Sequence, residues 1–157
     1  MAFQKVLLAV DPQGEGDAKV FKRALSLVEN QGAQLMIIGC LKPSTSAEID
    51  DRVGTLADPN SSASQAARQH RQAVEKEYSQ AWIEGLANEA RERGADVSVI
   101  VEVGKPGLQI CRLAEHWDAD VIVLGRTRRG RLADRLLGSV THHVVHHAPC
   151  SVLMVHD

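Results

Sequence analysis

Apolar residues in this chain fall into two kinds of pattern. Short runs, unbroken or alternating, occur at Val6 to Val10, Leu35 to Leu41, Val97 to Val101, Val121 to Leu124 and Val152 to Val155. Short β-branched runs of this kind are the signature of buried parallel strands. Between them, apolar residues recur at steps of three and four. Ala18, Phe21, Leu25 and Val28 make one helical face. Tyr78, Trp82, Leu86 and Ala90 make another, on a helix predicted over about Ala66 to Arg93, and Ile110, Leu113, Ala114 and Trp117 make a third. A fourth helical stretch opens at Gly138-Ser139. The punctuation agrees with these elements. Asp11-Pro12 stops the first strand, Gly14 and Gly16 loosen the loop after it, and Asp17 offers a side-chain oxygen as a helix cap. Asn30 with Gly32 ends the first helix and Gly94 ends the long one. Lys42 to Ser64, rich in Ser, Asp, Pro and Gly, has little periodicity and is long for a connection, as functional lids or disordered segments often are.

The resulting order is β-α-β-(loop)-α-β-α-β-(loop)-α-β. Alternation of this kind predicts an α/β protein, an open doubly wound five-stranded parallel sheet with helices on both faces. A length of 157 residues, with no internal repeat, predicts one domain over residues 1–157. In such sheets ligands bind beyond the carboxyl ends of the strands, where Asp11, Leu41, Gly104 and Gly125 fall.

Composition narrows the class. Aromatics are only 3% of residues, so the core must be aliphatic. A net charge of −2 argues against a general nucleic-acid binder. No run approaches the roughly 18 apolar residues of a membrane span. The opening M-A-F-Q-K-V-L-L-A-V-D reads as a first strand rather than a secretory leader, which predicts a cytoplasmic protein. Cys40, Cys111 and Cys150 are odd in number and widely spaced, which suits buried reduced thiols.

The chemistry concentrates between Val121 and Val155. The fourth strand stops at Gly125, an arginine-rich loop follows, and Gly138-Ser139 opens a helix. Glycine at a strand end and at a helix start lets backbone N–H groups approach an anion, and arginine supplies charge for phosphate. There is no G-K-[ST] anywhere and no G-x-G-x-x-G after the first strand. The motifs V-L-L-A-V-D, G-K-P, D-A-D-V-I-V-L-G, L-G-S-V-T and H-A-P-C-S-V-L-M-V together resemble the universal stress protein family. Its nucleotide-binding members carry G-x-x-G, nine residues, then G-[ST]. The resemblance spans the whole chain.

That resemblance implies a Rossmann-like homodimer that binds ATP or another adenine nucleotide, with Mg as an optional companion, and signals to an unknown protein partner. By correspondence of motifs, Val10 and Asp11 lie beside base and ribose, and Cys40 packs on adenine. Leu124 and Gly125 form the floor under the ribose, and Gly138, Ser139, Val140 and Thr141 form the phosphate turn. The last strand, Ser151 to Val155, pairs with its twin in a second copy. One departure stands out: Arg128 occupies the second motif glycine. Arginine there either blocks the phosphate path or holds phosphate through Arg126, Arg128 or Arg129. The retained Gly125 and Gly138-Ser139 favour binding, with mechanism through ordering of the 42–64 loop and the arginine loop. Two rival readings stay open, a nucleotide-free protective or scaffold dimer and a slow ATPase.

His142 and His146, like His143 and His147, are four apart on one helix. The spacing would suit a metal, but no acid or cysteine completes a set, so a surface helix is expected. Ser139 lacks a G-x-S-x-G setting and an activating base, so no catalytic residue is assigned and the chain is read as a non-enzyme.

Overall fold

Strand β1 (Lys5–Val10) is the middle of a parallel sheet and is buried on both faces, which is why its sequence is an unbroken apolar run. The computed structural model describes residues 2–12, 17–29, 31–43, 58, 60–125 and 138–156. After β1 come α1 (Asp17–Val28), β2 (Gln34–Leu41), α2 (Ser62–Glu92), β3 (Asp96–Val103) and α3 (Pro106–Trp117). β4 (Val121–Gly125), α4 (Ser139–His147) and β5 (Ser151–Val155) complete the chain. The sheet order is β3-β2-β1-β4-β5 and every neighbouring pair is parallel.

Alternate residues of the strands feed two cores. Val6, Leu8 and Val10 point to one face, where Val20, Phe21, Ala24, Leu25 and Val28 of α1 and Ile83, Ala87 and Ala90 of α2 cover them. Leu7, Ile38 and Ile122 point to the other, under Ile110, Cys111 and Ala114 of α3 and Val144 of α4. The predicted layered α/β architecture is the one observed.

The long helix departs from the expectation in extent and in phase. It starts at Ser62, because Ser61 caps it: the Ser61 hydroxyl accepts from Ser64 N–H at 3.2 Å. It ends at Glu92, one residue early. Its buried side is Ser79, Ile83, Ala87 and Ala90, whereas Tyr78 is 69% exposed. A strict step of four drifts by about 40° per step around a helix. The expected series therefore runs from exposed Tyr78 through half-buried Trp82 and Leu86, which pack against the core, to fully buried Ala90. The bulk of the 42–64 loop, the arginine loop with Arg126, Arg128 and Arg129, and Gly14, Gly16 and Asn30 lie outside the described residues.

Ile83 is the contact that seats α2 on the sheet. Gly39 of β2 has no side chain, and an added Cβ there would run into Ile83 Cδ1 and lie 3.1 Å from Pro12 Cγ. Ile83→Ala should therefore cost about 2–5 kcal/mol. The check is the urea midpoint at unchanged m-value, and a loss below about 0.5 kcal/mol would contradict this packing role.

Candidate functional site

The sheet order makes a switch point. The chain steps outward from β1 to β2 and β3, then crosses back to β4 and β5 on the other side of β1. Connections on either side of the β1–β4 joint therefore leave in opposite directions, and a crevice opens beyond those two carboxyl ends. At the amino end the joint is tied tightly. Asp120 Oδ2 accepts from Gln4 N–H and Lys5 N–H, both at 2.8 Å, and Asp120 N–H donates to Lys5 O at 2.9 Å. The ladder then runs through Val6–Val121, Leu7–Ile122 and Leu8–Val123. Ala9 and Val10, with Leu124 and Gly125, continue past its last pair. By contrast the β1–β2 ladder holds to Val10–Gly39.

The candidate residues divide by face. Cys40 and Leu124 share the α3/α4 face with Ala9 and Val140, where Leu124 is buried and the other three are half-buried. Ala9 and Pro106 were not foreseen. Alternation along β1 from Leu7 is the signal that could have placed Ala9, and the Cys40 thiol donates weakly to Pro106 O at 3.9 Å. Val10 points the other way, into the α1/α2 core at 6% exposure, so only its backbone borders the crevice. Gly125 likewise answers to α1, since an added Cβ would lie 2.7 Å from Val20 Cγ2. Its glycine lets the first helix pack close to β4.

At the start of α4 no side chain caps the helix. Gly138 takes the N-cap position with φ −57° and ψ 157°, and its carbonyl accepts from His142 N–H at 2.8 Å. The first-turn N–H groups of Ser139, Val140 and Thr141 are thus the kind that bind an anion at a helix start. Thr141 is 1% exposed, so its side chain belongs to the core and its backbone alone faces the turn. Arg126 and Arg128 lie outside the described residues.

Two acids meet at the end of β1. Asp11 N–H donates to Asp17 Oδ2 at 2.9 Å. Asp17 was expected as a cap for its own helix, but it lies inside α1 and reaches back to the strand end. Burial pushes its carboxyl up to about 6; the Asp11 N–H opposes this and the Asp11 charge adds to it. Cys40 is pushed up to about 12, chiefly by burial and then by the charges of Glu102 and Asp11. It is a neutral thiol, suited to packing and not to attack.

The histidines form two pairs on α4, the first tilted and the second stacked. His142 and His146 have ring centroids 4.5 Å apart, and His143 and His147 4.2 Å apart. The His143 ring fills the space a side chain at Gly107 would need, so it helps α3 and α4 pack. Among the described residues no three His, Cys, Asp or Glu side chains converge as a metal site, and no helix is long and apolar enough to cross a membrane.

This three-layer fold is shared with solved structures. The universal stress protein UspA of Lactobacillus plantarum has a TM-score of 0.76 at 21% identity over 99% of both chains. A universal stress protein in complex with cAMP gives 0.66 at 24% identity over 99% of this chain and 98% of that one. The universal stress protein of Archaeoglobus fulgidus in complex with dAMP gives 0.61 at 19% identity over 98% of each. These likenesses define the fold. The sequence defines the family: the universal stress protein family model matches residues 2–156. In addition, Universal stress protein Sll1388 of Synechocystis sp. is 33% identical over 155 residues, 99% of each chain. The chain belongs to the universal stress protein family.

The Asp17 carboxyl sets a pH test. Its folded pKa, about 6, lies above the ordinary 3.8, so the folded state holds the proton more tightly. Its contribution favours folding fully below pH 3.8 and is lost as pH rises through 6. Asp17→Asn keeps an oxygen acceptor for Asp11 N–H and removes the charge. The variant should be more stable than the parent at pH 7.5, and the gap should close as pH falls from 6 toward 4. Urea midpoints across that range decide it; a gap independent of pH would rule out the buried charge as its cause.

Proposed function

We propose that this protein is a homodimeric adenine-nucleotide-binding module that reports ligand state to a protein partner and has no catalytic residue of its own. The observation that carries the reading is the β1–β4 crevice with an uncapped helix start beside it. Two family members of the same fold are solved with cAMP and with dAMP, both adenine nucleotides. The residues present fit such a ligand. Ala9, Cys40 and Val140 offer half-buried apolar surface for a base. Asp11, at the strand end, is an acceptor suited to ribose hydroxyls. The first-turn N–H groups of α4 suit phosphate, and a phosphate there gains from the helix dipole. Mg would accompany a triphosphate through the phosphate oxygens.

The dimer part of the proposal rests on β5. It closes one edge of the sheet, with Leu153 exposed and Val152 and Met154 half-buried. An apolar edge strand needs a cover, and an antiparallel copy of itself supplies one.

A ligand at a hundred times its Kd stabilises the fold by about 2.7 kcal/mol. For a domain of this size that raises Tm by roughly 5–10 °C. ATP, ADP, AMP or cAMP should give that shift in a thermal melt, and GTP a much smaller one. Gly138→Val should remove it by filling the phosphate position. If no adenine nucleotide at millimolar concentration moves Tm, the nucleotide-free scaffold dimer becomes the better reading. Phosphate release with bound ATP, against an Asp11→Ala control, tests the slow ATPase.

Light scattering tests the edge pairing separately. The parent protein should run as a dimer at micromolar concentration, and Leu153→Asp should weaken the contact through β5. A parent protein that stays monomeric would remove this part of the proposal.

A further inference from the structure

Helix α4 is covered on two sides and bare on a third. At roughly 100° per residue, Thr141, Val144 and Ala148 fall within about 60° of one another. This side lies on the sheet, where Thr141 and Val144 are buried and Ala148 is half-buried. His143 and His147 make one flank, and that flank meets α3, because the His143 ring occupies the space beside Gly107. Val145, His142 and His146 make the opposite flank. All three are exposed, Val145 at 43%.

The bare flank has a definite place over the sheet. α4 joins β4 to β5 and shares a core with Ile122, Leu124 and Val152, so it lies above the joint between those two strands. α3 takes the side toward the middle of the sheet, where Pro106 O meets Cys40 of β2. Val145, His142 and His146 therefore overhang the free edge of β5.

We propose that His142 and His146 of two copies of the chain together form a site for a divalent transition-metal ion, zinc in the first instance, on the two-fold axis of the dimer. This rests on the β5 edge pairing proposed above and adds a ligand to it. Antiparallel pairing centred on Leu153 sets the axis normal to the sheet, so both α4 helices lie on the same face. Two strand spacings then separate them, roughly 10 Å, which is the interaxial distance of packed helices. Leu153 stands about 7 Å along β5 from Ser151. Val144 stands about 6 Å back along α4 from Ala148, so the axis crosses α4 near Val144. That level is midway between His142 and His146. His142 of each copy thus faces His146 of the other, with the two Val145 side chains packed beneath them.

The chemistry selects the ion. One chain offers two imidazoles here, with ring centroids 4.5 Å apart and planes tilted by 50°. The other pair does not serve, since its rings are stacked at 18° and His147 Nδ1 donates to His143 O at 2.8 Å. The missing acid or cysteine is replaced by the second copy, and four imidazoles complete the tetrahedral set that zinc prefers. Imidazole nitrogen suits zinc, copper and nickel, whereas magnesium and calcium take oxygen.

Zinc binding by the full-length chain, without an affinity tag, tests the site. Calorimetric titration with Zn2+ alone should give about one ion per two chains, and Co2+ in its place should show the visible absorption of a tetrahedral site. His142→Gln and His146→Gln should each weaken binding by roughly tenfold or more, while His147→Gln should leave it unchanged. Leu153→Asp should weaken it too, and zinc should draw that variant back toward dimer in light scattering. One ion per chain, or binding indifferent to His142→Gln and His146→Gln, would overturn the proposal. A parent protein that is dimeric in chelator and takes up no zinc would overturn it and leave the edge pairing intact. A parent protein monomeric with and without zinc would remove both.

Discussion

The joint between β1 and β4 is the constraint on which the molecule turns. Asp120 accepts two backbone N–H groups from the start of β1 and returns its own N–H to Lys5 O. A carboxylate bound to two N–H groups is a strong clamp, stronger than a ladder bond between neutral groups. It fixes register at the amino end of a joint that spans the switch in chain direction. Three residue pairs later the ladder ends, and the strands are free to part. A crevice at that point is therefore a consequence of topology plus one side chain placed at the far end.

Gly125 connects this joint to the electrostatics of the crevice. Its missing side chain admits Val20, so α1 lies close against the end of β4. That approach carries Asp17, near the start of α1, to Asp11 at the end of β1. The acid then costs stability at neutral pH, because burial disfavours its charge. In return it holds the backbone of Asp11, the residue that leaves the strand at the crevice. Strand-end glycine, helix packing and a raised carboxyl are one arrangement.

How much of this was legible in the sequence follows from what each signal encodes. Strands were legible because burial on both faces leaves unbroken β-branched runs, and their alternation with helices gave the sheet. The start of α2 was missed because a Ser61 cap inside a Ser-rich stretch looks like loop. Its face was read only in part, with Tyr78 wrongly included, because a step of four was followed where the buried series steps four, four and three. Gly125 was read for its conformational freedom toward a ligand, yet the nearest constraint on it is Val20. Val10 was named with Asp11, but alternation sends its side chain to the opposite core and sends Ala9 to the crevice face. Sequence spacing finds the ends of strands well. Which face a side chain serves depends on a register that only the assembled sheet defines.

Helix α2 shows the same limit in its strongest form. Averaged over its length it has no apolar side, since its two halves oppose each other in phase. A helix with one function would keep a single stripe, because polar residues at Gln65, Gln69, Gln72 and Lys76 forgo burial on the sheet side. The reversal happens near Tyr78, where the helix passes from exposed residues to the buried Ser79. Short isolated helices are marginal in water, so the first half draws its order from continuity with the packed half and from the Ser61 cap. The same rod thus transmits the rigidity of the core to a surface about 24 Å long. That surface stands on the side of the sheet where the crevice opens, away from the sheet's amino end.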